Sequence, residues 1–413
     1  MPLRDQRSTW LPKFNYQVWI LAIGRLLSQT GSGFTLFYAP IFFVNQVGLS
    51  ATQVGLGLGS AAVSGVGGRV MGGSFSDSPT WGRKRTLLLS AAISAIASFV
   101  LAAAHNFPMF VAGNLLMGLG IGLFWPASEA MIADLTTPIE RNEAFALNRL
   151  CDSLGLGLGV VLGGAVISLT PAYWLLFVID GISFLVLLAV VHWALAETYK
   201  PGASQAAIAG WGEALRDRRL LTFSLVNVLF TTYIIQLNST MPLYFTNFVW
   251  VSETSKGFSP IVLSALFTGH LVLMGVVQLP VARWLNRVSR VRALELSVLL
   301  WSLGFGLVWV TGVTRGGAIV WASLVMVLLS LATVTYLPAA SSIVVDLAPV
   351  SLRGVYLAVN SQCWAIGQLI GPPLGGWALD NSPTAAHAFW LGLALSGGAA
   401  LWILRVLGRM LAK

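Results

Sequence analysis

Two stretches decide the fold: PASEAMIADLTTPIERNEAFALNRLCDSLGLGLGVVLGG, residues 126–164, and PAASSIVVDLAPVSLRGVYLAVNSQCWAIGQLIGPPLGG, residues 338–376. Laid over one another at an offset of 212 residues, they match without a gap at 13 of 39 positions. Shared hydrophobicity explains a paired Leu or Ala. It does not explain Pro126 on Pro338, Asp134 on Asp346, Arg141 on Arg353, Asn148 on Asn360 and Cys151 on Cys363. Nor does it explain Gly155, Gly159, Gly163 and Gly164 falling on Gly367, Gly371, Gly375 and Gly376. The chain therefore carries one helical unit twice, and each copy holds the end of one apolar run, a polar turn and the start of the next.

Working outward, apolar segments lie at 16–43, 51–76, 86–104, 108–135, 143–168 and 173–196, and again at 220–249, 259–284, 294–313, 318–347, 355–379 and 386–408. Each is about 20 residues or longer, the length that crosses a hydrocarbon core of roughly 30 Å. The sequence is thus read as an all-α polytopic membrane protein of twelve transmembrane helices, six plus six. A cytoplasmic tail (1–15) precedes the first bundle (16–196), a cytoplasmic linker (197–219) joins it to the second (220–408), and a short tail (409–413) follows. Of 413 residues 56% are apolar and only 9% charged, against about 25% charged in soluble proteins. That composition argues against a soluble enzyme, a nucleic-acid binder and a disordered chain. With the N-terminus inside, the outer loops hold only Lys256 and Arg315 of the 24 Lys and Arg residues, while Arg25, Arg69 and Arg149 lie within spans. This bias predicts cytoplasmic termini in a bacterial inner membrane. Cys151 and Cys363 lie in apolar runs without metal-ligand spacing, so neither a disulfide nor a metal is expected.

Between the second and third spans stand Gly73, Asp77, Gly82, Arg83, Lys84 and Arg85. With the repeat and the span count, these make the chain resemble the major facilitator superfamily, whose loop reads Gly-x-x-x-Asp-x-x-Gly-Arg-Lys/Arg. Ser78-Pro79-Thr80-Trp81 makes the loop two residues longer than usual. The resemblance implies that Asp134 faces Arg83, Asp346 faces the Arg290 region, and Asp77 lies near Arg353, with Arg141 completing the first-half set. These contacts either latch the halves at the cytoplasmic side or only orient the loops. The frame Gly155, Gly159, Gly163, Gly164, and the fuller Gly367, Gly371, Pro372, Gly375, Gly376, resemble the fifth-helix signature of proton-driven exporters, although ordinary helix packing uses such faces too. The implied architecture is two parallel six-helix repeats with a central path.

Ionisable residues inside a bilayer are costly and mark function or pairing. At about 1.5 Å per residue, Glu129 and Arg149 sit about 10 Å from the inner boundary, and Arg25 and Asp152 about 13 Å. A cluster of Arg25, Glu129, Arg149 and Asp152, with Arg69 nearby, is expected to be either a proton-coupling device or a permanent brace. Asp152 is the first coupling candidate and Glu129 the second. Asp180 is the third, read as nearer the outer side and more simply solvated. For the cargo path, Asn227, Thr231 and Asn238 are placed on one cavity-facing side, with Trp125, Asn360 and Trp364. Neutral hydrogen-bonding groups among aromatic surface suit an amphipathic solute, and equally a sugar.

No nucleotide-binding loop or metal-ligand cluster is present in the sequence, so no cofactor and no enzymatic reaction are expected. The reading is a secondary active transporter that exports small organic or amphipathic solutes by alternating access, driven by protons. The alternative is a symporter or facilitator for a sugar, organic anion, metabolite or lysolipid. Expected partners are the solute, protons and membrane lipid, with no nucleic acid, and the functional unit is expected to be a monomer.

Overall fold

Asn15 accepts a hydrogen bond from Gln17 N–H and starts α1 (Tyr16–Asn45), while Ser50 and Gln53 close a capping box on α2 (Ala51–Ser76). The first half continues with α3 (Gly82–Ala102), α4 (Phe107–Leu135), α5 (Arg141–Leu169) and α6 (Trp174–Ala194). A four-residue turn, α7 (Trp211–Ala214), precedes the second half: α8 (Arg218–Asn238), α9 (Thr240–Asn247), α10 (Pro260–Leu285), α11 (Arg290–Val313), α12 (Ala318–Leu347), α13 (Arg353–Asn381) and α14 (Pro383–Leu411). This computed structural model describes residues 14–137, 140–170, 172–199, 211–285, 287–349 and 353–411. The side chains at 141, 142, 146, 149, 211, 279, 282, 353 and 354 lie outside the description. Arg141, Arg149 and Arg353, each given a part by the sequence, are therefore among the residues not described.

The seventh apolar segment is not one helix. Pro242 has no N–H to return to Asn238 O, and the Asn238 side chain folds back to donate to Ile234 O at 3.0 Å. The segment breaks at Ser239 into α8 and α9. Among the described residues, nine helices are long and apolar enough to cross a membrane on composition. The other three long ones, α1, α2 and α13, have 30, 26 and 29 residues. At about 1.5 Å per residue each reaches beyond the hydrocarbon thickness. They miss on polarity, because they carry Gly, Ser, Asn and Gln residues along their packed faces.

The repeat in the sequence is a repeat in packing. In the first half α1 packs on α5, α2 on α4, and α3 on α4 and α6; in the second half α8 packs on α13, α10 on α12, and α11 on α12 and α14. Between halves, α2 packs on α13 and α5 on α10, the two members of one exchanged pair. The inter-half approaches run along one side of the molecule. A Cβ on Gly59 would meet Leu369 O at 2.9 Å, one on Gly164 would meet Ser264 Cβ at 2.6 Å, and one on Gly157 would reach Leu271 at 3.4 Å. One or two turns further toward the chain ends the same stripes lose their partners. Val70 on α2 is 67% exposed and Val276 on α10 68%, and Val63, Leu150, Leu154 and Val272 are exposed as well. The path between the halves is closed on the face away from the chain ends and open toward the face that carries them.

Candidate functional site

At the open face, α2 ends on Asp77, which is its C-cap. The chain turns through Ser78–Trp81 and enters α3 at Gly82, whose φ is +79°. Arg83 is the hub of this corner. Its Nε donates to Asp134 at 2.9 Å, one terminal nitrogen donates to Asp77 at 2.9 Å and to Ser76 O, and its guanidinium lies 5.2 Å from the Tyr199 ring. The two extra loop residues thus leave the Asp77–Arg83 bond intact. Arg290 reaches Asp346 at 3.7 Å in the second half, in a more exposed setting. Both acid–arginine pairs lie within a half, and they persist while the halves stand apart here. Read as a latch between halves, Asp134–Arg83 and Asp346–Arg290 are corrected to braces inside each half. The Asp77–Arg353 approach lies outside the described residues.

Glu197 was not singled out in the sequence. Its carboxylate accepts from Arg83 N–H and Lys84 N–H, both at 3.0 Å, capping the first turn of α3. A Cβ on Gly82 would press against this carboxyl, so Gly82 is required by both conformation and space. Lys84 donates to His192 O at 2.7 Å, and Thr198 donates to Asp134 at 3.0 Å. Outside the spans, two hydrogen bonds from Thr137, hydroxyl and amide, hold the Glu140 carboxyl below the ordinary range. Gly73 has open space where a Cβ would stand.

The glycine frames on α5 and α13 have a division of labour. Gly155, Gly159 and Gly163 lie against Leu26–Gln29, Thr30–Gly33 and Tyr38 of α1; Gly367, Gly371 and Gly375 lie against Thr231, Ile235 and Gln236 of α8, with Thr240 of α9 also against Gly375. The fourth glycine crosses to the other half: Gly164 meets Ser264, and Gly376 meets Ala51 O. Pro372 O lies against Gly55 of α2. Backbones come this close only where no side chain intervenes.

Inside the first half, Arg25 and Asp152 form a two-pronged ion pair, with Arg25 Nη2 to Asp152 Oδ2 at 2.7 Å and a shorter contact from Nε to Oδ1. Their side chains are 4% and 13% exposed. The guanidinium also stands 4.1 Å from the Trp125 ring and 5.7 Å from that of Phe124. A cavity of about 30 Å³ opens beside them, lined also by Ser28, Gln29 and Ser32. Of the other members of the cluster expected from depth, Arg69 on α2 lies in electrostatic reach of Glu129 on α4, and the Arg149 side chain lies outside the description. Asp180, expected to be solvated, is 0% exposed. It accepts from Ser98 at 2.8 Å, and its other oxygen is without a hydrogen-bond partner among the described residues.

The expected cargo face of α8 is corrected in part. Asn227 and Thr231 are fully buried. Asn227 donates to Asn360 at 2.9 Å and accepts from Tyr336 at 2.7 Å, and Thr231 donates to Cys363 O at 2.8 Å. They stitch α8 to α12 and α13 rather than lining an open path. Trp125 and Trp364 are half-buried.

At the closed face stands a second group that was not expected. Asp380, one residue from the end of α13, accepts from Ala51 N–H at 2.8 Å and Thr52 N–H at 2.6 Å, so a carboxylate of one half caps the first turn of α2 in the other. Asn45 and Asn247 exchange a reciprocal pair at 3.1 and 2.9 Å.

Among the described residues, twelve long helices in two like-packed halves, parted toward one face, with a buried ion pair inside the first half, are the architecture of a transporter of the alternating-access class. The chain belongs to the Major Facilitator Superfamily, whose family model matches residues 21–252 and 245–410. It is 25% identical over 405 residues to a Na(+), Li(+), K(+)/H(+) antiporter of Planococcus maritimus, covering 88% of this chain and 90% of that one. It is 24% identical over 387 residues to the multidrug resistance protein MdtH of Escherichia coli, covering 93% and 92%. Among solved structures, the fold is similar to that of the nucleoside transporter NupG, with a TM-score of 0.79 at 15% identity over 94% of this chain and 98% of that one. It is also similar to a POT peptide transporter in complex with sulfate, at 0.77 and 16% over 98% and 96%. The protein is a multi-pass membrane transporter of small solutes and not an enzyme.

Proposed function

We propose that this transporter exports small organic, amphipathic solutes in exchange for protons, with Asp152 as the protonated switch. The observation that carries the reading is the Arg25–Asp152 pair, buried inside the first half beside a small cavity, with Trp125 against the guanidinium. A two-pronged pair in low dielectric is stable only while both members are charged. A proton on Asp152 neutralises the carboxylate and ends its hold on Arg25. A cationic cargo held by the Asp152 carboxylate beside the Trp125 ring competes with the proton for that one group, which is the requirement for exchange. Two of the similar proteins are described as an antiporter and a multidrug resistance protein, and the glycine frames of α5 and α13 fit an exporter. Glu129, Arg69 and Asp180 are secondary members of the coupling set. We place both termini in the cytoplasm of a bacterial inner membrane, with the monomer as the working unit.

The second reading is a carrier of a sugar, organic anion, metabolite or lysolipid, favoured by the same arginine, which is suited to a carboxylate or phosphate. Purified protein in sealed proteoliposomes, under an imposed pH gradient, tests both. The panel holds lipophilic cations, sugars, organic anions and sodium. Cargo-dependent proton movement with a lipophilic cation supports export by exchange. Gradient-independent uptake of a sugar or anion overturns it in favour of a facilitator.

A further inference from the structure

The two halves differ at one corner. In the first half, the start of α3 lies beside the end of α6, and the carboxylate of Glu197 sits on the first two amides of α3. Arg83 and Lys84, which supply those amides, meet a built-in anion there. The equivalent corner of the second half lies between the start of α11 and the ends of α12 and α14. There Ser289 caps Arg292 N–H at 3.4 Å, and among the described residues no side chain is recorded on Arg290 N–H or Val291 N–H. Where Glu197 stands in the first half, α14 instead brings Arg405 and Arg409. A cleft of about 590 Å³ opens at this point, walled by Arg290, Arg292, Arg405 and Arg409 with Glu295 and Asp346. Four positive against two negative side chains leave a charge of +2, added to the positive end of α11.

We propose that this cleft binds the phosphate of an anionic phospholipid, which takes the place that Glu197 fills in the first half. Three features support the assignment. The charge of the wall is opposite to that of the group that completes the sister corner. The cleft lies at the level where the spans end, the depth of lipid headgroups, and basic pockets between helices at that depth suit such headgroups. Apolar side chains then continue the same faces toward the bilayer centre: Leu299 and Leu303 follow Glu295 at four-residue spacing, and Trp402 precedes Arg405 by three, all exposed. Such a strip suits an acyl chain. A soluble phosphate would use the cleft and not the strip.

The test is native mass spectrometry of the full chain from nanodiscs of mixed phosphatidylglycerol and phosphatidylcholine. Two arginines at about 1 kcal/mol each near the surface set the expected preference for retained phosphatidylglycerol at about tenfold or more. The pair Arg405→Gln with Arg409→Gln is expected to bring it within about twofold, whereas Arg283→Gln with Arg287→Gln, on the same face but outside the cleft, is expected to keep it. Equal loss in both pairs, or no loss in the first, overturns the site. Displacement of the lipid by inorganic phosphate as readily as by added phosphatidylglycerol assigns the cleft to a soluble anion and overturns the lipid. A monodisperse elution profile and an unchanged melting curve accompany each variant, and Arg405→Lys with Arg409→Lys, which keeps the charge, is expected to retain lipid if the glutamine pair fails to fold.

Discussion

Asp134 and Asn227 show what a side chain's identity can and cannot disclose. Asp134 recurs as Asp346, each seven residues before an arginine, and its partner Arg83 was implied by the family resemblance of the loop that carries it. Asn227 lies on a polar face of a helix, but a helical wheel does not distinguish a face turned to water from one turned to a neighbouring helix. Within a bilayer, neutral polar groups bond across helices readily, and Asn227 does so with Asn360 and Tyr336. Asn227→Ala is therefore expected to cost about 1–3 kcal/mol through the unpaired partners it leaves, seen as a lower melting temperature with unchanged cargo preference. Altered preference at unchanged stability would return Asn227 to the cargo path. Gly82 makes a sharper case. Its positive φ alone costs a β-carbon about 1–2 kcal/mol, and the Glu197 carboxyl already fills the space. Gly82→Ala is expected to lower the melting temperature in detergent by a few degrees, and relief of that loss by Glu197→Ala in the same chain would show that the two residues share one corner.

Helices and their ends carry the gating. The four-residue spacing of glycines on α5 and α13 was legible, as was their common face. What that face touches was not, because three glycines serve their own half and only the fourth crosses. Asp380 escaped notice for a related reason. It lies outside the repeated stretch and acts on backbone amides, which have no sequence signature of their own. Its cap joins α13 to α2 across the halves by two charge-assisted bonds. Loss of such a cap costs about 1–2 kcal/mol, a shift of roughly five- to thirtyfold between closed and open. Asp380→Asn is therefore expected to lengthen distances between spin labels in the 46–50 loop and at Ser382, read by pulsed electron resonance. Unchanged distances in Asp380→Asn would rule out Asp380 as the clasp.

The whole molecule was legible in outline because two copies of one unit, 212 residues apart, leave few ways to assemble twelve spans. The face that stands open was not legible, since one sequence must serve both states of an alternating-access cycle. The acid–arginine pairs at the open face are formed with the halves apart, so each half is braced within itself, and the halves touch at contacts such as Gly55–Pro372 and Gly376–Ala51. Within this frame the Arg25–Asp152 pair is the element that a proton and a cargo can both address. The decisive measurement is proton-coupled flux of a lipophilic cation by Asp152→Asn in sealed proteoliposomes, beside wild type and Asp152→Glu. Removing one member of a buried pair costs about 3–5 kcal/mol, so a monodisperse elution profile is required first. Wild type and Asp152→Glu are expected to move protons with cargo, while Asp152→Asn carries cargo only down its own gradient and without regard to pH. Undiminished cargo-dependent proton movement in Asp152→Asn would contradict the assignment of the coupling proton to this pair.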